Sequence, residues 1–93
     1  MQIKKEAIAG TLESNDIMIT LNEGKGINIE LESSVKKQFG NQIEKVIRET
    51  LQSYGIENAN IKAVDKGALD YVIMARVKTA IQRACETDEM RWL

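Results

Sequence analysis

Apolar and polar residues alternate in the first third of the chain, which predicts β-strands. Ala7 to Leu12 is predicted as a first strand, and Gly10 within it indicates a bulge or a close backbone contact. Ile17 to Leu21 and Ile27 to Glu32 alternate more regularly, so each should bury one of its faces. We expect these three strands to form an antiparallel meander.

The apolar spacing then changes to the period of an α-helix. Apolar positions recur every three or four residues from Ile43 to Tyr54. Asn41 followed by Glu44 predicts a capping box at the start of this helix, and Gly55 is placed to end it in the left-handed conformation. These positions predict one amphipathic helix of about three turns.

The segment 33–40, just before this helix, has two interpretations. Val35 and Phe39 have the spacing of one helical turn, but the preceding strand could also continue to Val35. The pattern favours neither, and both stay open at this point.

A short strand and a second helix complete the pattern. Asn60 to Val64 is predicted as a fourth strand, and a helix is expected from Leu69 to about Cys85, with Asp65 as its cap. A strand, helix and strand in succession form a crossover unit, so the third and fourth strands should be parallel if adjacent. The predicted fold is a single α+β domain over residues 1–93, a two-layer structure. Its small mixed β-sheet, the meander plus the βαβ unit, carries two helices on one face.

Composition limits the classes of function that this fold can serve. The 93 residues are 43% hydrophobic and 29% charged, which is typical of one soluble domain. Thirteen basic against fourteen acidic residues give a net charge of −1, which predicts neither nucleic-acid binding nor attraction to a membrane surface. The sequence shows no apolar run long enough to span a bilayer and no signal peptide, and Cys85 is its one cysteine. We therefore expect a cytoplasmic protein without an internal disulfide.

The absence of histidine restricts the chemistry further. A Ser-His or Cys-His catalytic pair cannot be built from this chain, and the commonest zinc ligand is missing. We predict no metal site and no catalytic residues.

The most informative residue is a serine at a predicted bend between the first two strands. Ser14 and Asn15 occupy the two central positions of a tight turn, where asparagine tolerates the left-handed backbone. A serine there points its hydroxyl into water, and a free hydroxyl is a weak nucleophile without a base or metal to activate it. On local spacing alone the ordinary explanation is a structural turn serine. The alternative is a site where another group is attached.

Three blocks of sequence bear on that choice. The runs AGTLESND at 9–16, SVKKQFG at 34–40 and DKGALD at 65–70 closely resemble the family of citrate lyase acyl carrier (gamma) subunits. The resemblance extends over almost the whole chain. It implies that Ser14 carries 2′-(5″-triphosphoribosyl)-3′-dephospho-CoA, attached covalently through a phosphodiester, so that the chain is a phosphoprotein. Family members often have glycine where this chain has Asn15.

The resemblance also implies what the attached group is for. A non-catalytic carrier would hold acetyl and citryl thioesters and pass them between an alpha subunit (acyl transferase) and a beta subunit (citryl lyase). The outcome is cleavage of citrate to acetate and oxaloacetate, as in citrate fermentation. Glu13, Asn15 and Asp16, which flank the serine, are predicted to be recognised by the enzyme that loads the prosthetic group. The two carboxylates are not expected to hold its phosphates, because like charges repel.

Three other functions are consistent with parts of the sequence. The carrier subunit of malonate decarboxylase has a similar serine arm, and a plain interaction module would carry no prosthetic group at all. Lys25, between two glycines at a predicted hairpin tip, is similar to the biotin- or lipoyl-bearing lysine of swinging-arm domains. Those domains are all-β, so a solvated turn lysine is the favoured explanation. Conventional four-helix acyl carrier proteins are disfavoured, because their serine lies at a helix start.

The apolar residues near the C-terminus leave two points open. The second helix is apolar on more than one face, so Tyr71 and Met74 are either buried or part of a docking surface for other subunits. Cys85 is predicted to be a small buried side chain. The tail at 87–93 is expected either to fray or to anchor to a partner through Trp92.

Overall fold

The computed structural model describes residues 2–86, which contain four strands and two helices. The elements, in chain order, are β1 (Ala7–Ala9), β2 (Ile17–Asn22), β3 (Ile27–Ser33), α1 (Lys36–Ser53), β4 (Ala59–Asp65) and α2 (Asp70–Ala84). The predictions for the tail and for Trp92 lie outside the described residues.

The strands form one mixed sheet in the order β1-β2-β4-β3. β1 pairs with β2 and β2 pairs with β4 in antiparallel orientation, whereas β3 and β4 are parallel. Both helices pack on the same face of this sheet, α2 over β1 and β2 and α1 over β3, and they also contact each other. The predicted class, an α+β domain with a small mixed sheet and two helices, is confirmed. The parallel pairing of the third and fourth strands is confirmed as well.

The predicted antiparallel meander is wrong, because β4 lies between β2 and β3. The extent of burial in the two strands agrees with this order. β4 buries Ala59, Ile61, Ala63 and Asp65 and is paired along both of its edges. β3, at the edge of the sheet, buries only Leu31 among its seven residues.

The core fills the space between the sheet and the helices. Ile17, Ile19 and Leu21 of β2 are fully buried, and burying one such side chain contributes about 1.5–3 kcal/mol. The helical spacing predicts most of the buried positions of both helices, but Leu69, where the second helix is expected to begin, precedes α2 and is 61% exposed. The buried helical positions include Ile43, Val46, Ile47, Thr50 and Leu51 of α1 and Ile73, Val77, Ala80 and Ile81 of α2.

Helix α1 begins five residues before the predicted capping box. Asn41 lies inside the helix, Val35 is the N-cap residue, and no side chain caps this end. The capping-box prediction is therefore wrong, and 33–40 is helical from Lys36 onwards. Gly40 hid this start, because glycine is a poor helix former. Gly40 is buried within the helix, and a methyl group at its Cα would lie 3.1 Å from Cγ of Lys36, one turn earlier, and 3.9 Å from Leu31 of β3. Packing of the buried face of α1 as a whole outweighs the low helix propensity of this one residue.

The end of α1 is as predicted. Gly55 has φ +70°, its N–H donates to the carbonyl of Gln52, and the N–H of Ile56 donates to that of Leu51. This pair of hydrogen bonds is the Schellman arrangement. This arrangement turns the chain back towards β4, and the side chain of Ile56 is buried at the turn.

Candidate functional site: the serine turn

The connection between β1 and β2 is a loop of seven residues, 10–16, with Ser14 near its tip. The first strand ends at Ala9, three residues earlier than predicted, so this connection is longer than a two-residue hairpin. The loop nevertheless contains the predicted tight turn. The N–H of Asp16 donates to the carbonyl of Glu13 over 3.2 Å, which leaves Ser14 and Asn15 as the central residues. Asn15 has φ +66°, the left-handed conformation expected of it.

The side chain of Ser14 is exposed. Within residues 2–86 its hydroxyl makes no hydrogen bond and no contact with a charged group. No base is therefore placed to activate it as a nucleophile. The same openness suits an attachment point, since nothing among the described residues has to move before a group is joined to this oxygen.

A buried carboxylate lies two residues after the serine. Asp16 is 9% exposed, and four donors surround it. Its Oδ1 accepts from the N–H of Ile17 (2.7 Å) and from Nε of Arg76 (2.9 Å). Its Oδ2 accepts from the hydroxyl of Thr11 (2.7 Å) and from Nη2 of Arg76 (2.7 Å).

These contacts perturb the titration of both partners. The hydrogen bonds from the Arg76 guanidinium lower the pKa of Asp16 far below its ordinary value, against an opposing effect of burial. The same hydrogen bonds raise the pKa of Arg76. The pair is therefore fully ionised in neutral solution, with both carboxylate oxygens occupied.

Arg76 is the residue of this site that sequence reasoning did not find. It lies 60 residues from Asp16, on α2, and a single sequence gives no direct signal for such a pairing. One indirect signal exists. Arg76 falls in the apolar stripe of the second helix, between Ile73 and Val77, and a charged group on a buried face needs an opposite charge.

The backbone of the loop is joined to the turn after β4. The N–H of Asn15 donates to the carbonyl of Lys66 (2.8 Å), and the N–H of Lys66 donates to the carbonyl of Asp16 (2.9 Å). These two bonds set Asn15 and Asp16 opposite Lys66, just beyond Ile17 and Asp65, the last paired residues of β2 and β4. The serine turn is thus attached to the central strand of the sheet.

A second buried carboxylate organises the turn after β4. Asp65 is 1% exposed and accepts hydrogen bonds from the hydroxyl of Ser33 and from the N–H groups of Gly67 and Ala68. The prediction that Asp65 caps the last helix is wrong, because α2 starts at Asp70. Its carboxylate instead stabilises the bend to which the serine turn is bound.

Gly10 sets the entry of the loop through a close backbone contact, as predicted. Its φ is +96°, and a methyl group at its Cα would come within 1.8 Å of the carbonyl oxygen of Ile17. Only glycine fits this position without a backbone shift.

The other residues considered from the sequence lie elsewhere. Lys25 is exposed, but its loop joins β2 to β3, which are not neighbours, so the predicted hairpin tip is wrong. Cys85 is buried as predicted, and burial raises the pKa of its thiol. Tyr71 and Met74 are 69% and 40% exposed, so the alternative in which they are buried is excluded.

The described residues contain neither a cluster of metal ligands nor a membrane-spanning helix. In the part of the chain from 2 to 86, no three histidine, cysteine, aspartate or glutamate side chains are grouped as metal ligands would be. Neither helix in that range has the length and apolar character needed to cross a bilayer.

Comparison with known proteins places the chain in a group of carrier proteins. A family model described as "Malonate decarboxylase delta subunit" matches residues 4–84. The chain is 62% identical to the citrate lyase acyl carrier protein of Lactobacillus acidophilus over 90 residues, which are 96% of this chain and 93% of the relative. It is 54% identical to that of Streptococcus mutans over 94 aligned positions, covering 99% and 92% of the two chains.

Among solved structures, the fold is similar to a chain of a Pseudomonas malonate decarboxylase hetero-tetramer in complex with malonate. The TM-score is 0.73 at 19% identity, over 87% of this chain and 84% of that one. A homoserine kinase from Cytophaga hutchinsonii also matches, with a TM-score of 0.57 at 17% identity, over 96% of this chain but 36% of the kinase. At these identities the likeness concerns the fold alone.

Proposed function

The chain belongs to the family of citrate lyase acyl carrier proteins, and from this premise we propose that Ser14 is the residue to which its prosthetic group is attached. The observation that supports this assignment is the contrast between the side chain and its backbone. The Ser14 hydroxyl is exposed and makes no hydrogen bond within residues 2–86, whereas the backbone of its turn is fixed to the core of the sheet.

The group we propose is 2′-(5″-triphosphoribosyl)-3′-dephospho-CoA, joined to the serine oxygen by a phosphodiester. When bound, it supplies a terminal thiol that holds an acyl group as a thioester. The residues present fit such a group. The oxygen is unhindered, and the one acidic side chain beside it that faces solvent is Glu13, because the charge of Asp16 is neutralised by Arg76. A phosphodiester on Ser14 therefore meets less repulsion than the sequence Glu13-Ser14-Asn15-Asp16 suggests.

We propose that this chain contributes no catalytic group of its own. It contains no histidine, and its buried carboxylates, Asp16 and Asp65, are both occupied by internal hydrogen bonds. Its part is to hold one end of a tether. Tethering makes each transfer between partner subunits intramolecular, with an effective concentration of about 1 mM for a short flexible link.

The partners we propose are the alpha subunit, an acyl transferase, and the beta subunit, a citryl lyase, together with the enzyme that loads Ser14. Glu13 and Asn15 flank the serine and are exposed, so a loading enzyme can contact them directly. Asp16, the third residue predicted for recognition, contributes to recognition through the shape of the turn.

A carrier subunit of malonate decarboxylase is the second candidate. The description of the matching family model favours it. The identities of 53–62% to citrate lyase acyl carrier proteins, however, favour the first. Mass spectrometry of the subunits that co-purify with the chain separates the two, since the two complexes contain different enzymes.

The assignment of Ser14 is tested by intact mass and peptide mapping of the protein from the cells that make it. We expect a mass above that of the bare polypeptide, with the added group on the peptide that contains Ser14. Ser14→Ala should remain folded, lose the added mass, and support no citrate cleavage when the complex is reassembled. Lys25→Arg is the matched control, and it should keep both the mass and the activity. Active protein with the bare mass, or an adduct on Lys25, would contradict the proposal.

A further inference from the structure

We infer that Arg76 is a positioning residue for the attachment reaction: through Asp16 it holds the turn in the conformation that presents Ser14. The inference rests on the proposed function of Ser14 and extends it to a residue on the far helix. Within residues 2–86 no hydrogen bond joins Arg76 to Ser14, so its effect passes through the carboxylate of Asp16.

The ion pair connects the loop to the middle of α2. Arg76 donates a hydrogen bond to each oxygen of Asp16, from Nε to Oδ1 over 2.9 Å and from Nη2 to Oδ2 over 2.7 Å. A two-point contact of this kind fixes the orientation of a carboxylate as well as its distance, which a lysine in the same place could not do. The Asp16 side chain is 12% exposed and that of Arg76 is 39% exposed, so solvent competes weakly at the carboxylate.

The carboxylate passes this constraint to both sides of the serine. On one side, Asp16 Oδ1 accepts from the N–H of Ile17, where β2 begins. On the other, its Oδ2 accepts from the hydroxyl of Thr11, and the Thr11 Oγ1 accepts in turn from the N–H of Glu13 over 3.2 Å. A continuous series of hydrogen bonds therefore runs from Arg76 to the residue just before the serine.

The same geometry divides the residues around Ser14 by role. Each oxygen of Asp16 already accepts two hydrogen bonds, so the carboxylate can bind a loading enzyme only by giving up an internal partner. Glu13 and Asn15 have exposed side chains, which can bind a loading enzyme without breaking an internal hydrogen bond of this kind. Direct recognition should come from these two residues, and Asp16 and Arg76 should act together as one unit.

A double-mutant cycle on the loading reaction tests this. The variants are Asp16→Asn, Arg76→Gln and the pair combined, each confirmed as folded. The quantity measured is kcat/KM for attachment of the prosthetic group to Ser14 by its loading enzyme, followed by intact mass. We expect each single change to lower it about 10- to 100-fold, the range for a misplaced reacting group. The double variant should be no worse than either single one, because both remove the same constraint.

Arg83→Gln is the matched control on the same helix. Arg83 also donates a hydrogen bond across to the sheet, from Nη1 to the carbonyl of Ile8 (2.7 Å), but it does not reach the serine turn. It should load at the rate of the unaltered protein. Thr11→Val, a milder change in the same series of hydrogen bonds, replaces Arg76→Gln if that variant does not fold, and its loading should fall several-fold.

Hydrogen exchange provides a readout that is independent of loading. In Arg76→Gln the amides of Asn15 and Asp16 should exchange faster, while those of Ile19 and Ile61 in the central strands stay protected. Additive losses in the double variant would mean that Asp16 contacts the loading enzyme directly, which overturns the inference. So would unchanged loading and exchange in a folded Arg76→Gln. If the unaltered chain never gains mass on Ser14, the proposed function itself has failed.

Discussion

Two exposed loops at opposite ends of β2 offer an attachable side chain, but within residues 2–86 only one of them is tied to the core through charge. The loop at 10–16 presents Ser14, and its turn is fixed by a buried carboxylate and an arginine. The loop at 23–26 presents Lys25 and is held by neutral amide side chains at the surface and by one backbone bond, from the N–H of Ala59 to the carbonyl of Gly26. Charge-assisted hydrogen bonds away from water are stronger than neutral ones in water, so the serine loop should be the more rigid.

The contacts of the lysine loop show this difference in detail. The N–H of Gly26 donates to Asn58 Oδ1 (2.9 Å), and Asn28 Nδ2 donates to the carbonyl of Lys25 (2.9 Å). Asn60 Nδ2 donates to the carbonyl of Glu23 over 3.2 Å. All of these bonds are exposed. The serine loop, which we propose several enzymes recognise, needs one conformation, whereas a connection between strands needs only to span a distance.

The largest effect should come from a methyl group at the entry of the serine loop. Gly10→Ala places a Cβ about 1.8 Å from the carbonyl oxygen of Ile17, at a backbone φ of +96°. We expect a loss of about 3 kcal/mol in the free energy of unfolding, from overpacking and left-handed strain together. Gly26→Ala is the control in the lysine loop, where φ is +67° and nothing lies within 4 Å. It should cost about 1 kcal/mol, as strain alone does. Equal losses in the free energy of unfolding of the two variants, measured by urea denaturation, would show that the close contact at Gly10 adds nothing to the strain.

Next comes the charge that fixes the serine turn. Asp16→Asn should lower the free energy of unfolding by about 2 kcal/mol at neutral pH, the range for a hydrogen-bonded charged group. Asn58→Ala, which removes an exposed amide contact of the lysine loop, should cost about 0.5–1 kcal/mol. A cost as large for Asn58→Ala as for Asp16→Asn would show that both loops are held equally.

The same pair predicts a dependence on pH. The pKa of Asp16 is lower in the folded chain than in the unfolded one, because Arg76 stabilises its charged form. Its contribution to stability is therefore fully present above the unfolded pKa, which is about 3.9, and is lost as the pH falls below that value. Unfolding of the unaltered chain should become easier between about pH 4 and pH 2. Asp16→Asn should show a shallower fall there, and Asn58→Ala the same fall as the unaltered chain. If the free energy of unfolding falls equally with pH in Asp16→Asn and in the unaltered chain, the titration of Asp16 does not cause the fall.

How much of this the sequence predicts depends on how local each interaction is. The turn at Ser14 and the left-handed Asn15 follow from residues next to each other in the chain. So do the helical faces and the helix end at Gly55. The predicted order of the strands is wrong because strand pairing depends on contacts between residues some 40 positions apart. The alternation of apolar and polar residues does not indicate which strands pair.

Two other errors have the same origin. The start of α1 is not predicted because Gly40 has a low helix propensity, which the packing of the buried face of the helix outweighs. Asp65 looked like a helix cap because of its position, yet its carboxylate bonds to Ser33 on a neighbouring strand and to the turn that follows it. The pairing of Asp16 with Arg76 belongs to this class, and it is the part of the site that only the fold reveals.

Substitutions of Asn15 have a smaller effect, and they distinguish the role of its backbone conformation from that of its side chain. Asn15→Gly should change the free energy of unfolding by less than about 0.5 kcal/mol, because both residues adopt a φ of +66° readily. Asn15→Ala should cost about 1 kcal/mol at the same position. If Asn15 contacts the loading enzyme, Asn15→Gly will slow loading while leaving stability unchanged. Loss of stability in Asn15→Gly, measured by urea denaturation, would mean that the amide side chain holds the turn.

The smallest effect is expected at the two tips themselves. Ser14→Ala and Lys25→Ala should each leave the free energy of unfolding within about 0.5 kcal/mol of the unaltered chain, the usual range for surface changes. Both side chains are exposed, and the serine hydroxyl makes no hydrogen bond within residues 2–86. Thermal unfolding of the two variants should therefore be indistinguishable, while peptide mapping separates them, since only Ser14→Ala loses the prosthetic group. A clear loss of stability in Ser14→Ala would mean that the hydroxyl serves the fold. A hydroxyl that carries a prosthetic group cannot also stabilise the fold by donating a hydrogen bond, because attachment converts it into an ester.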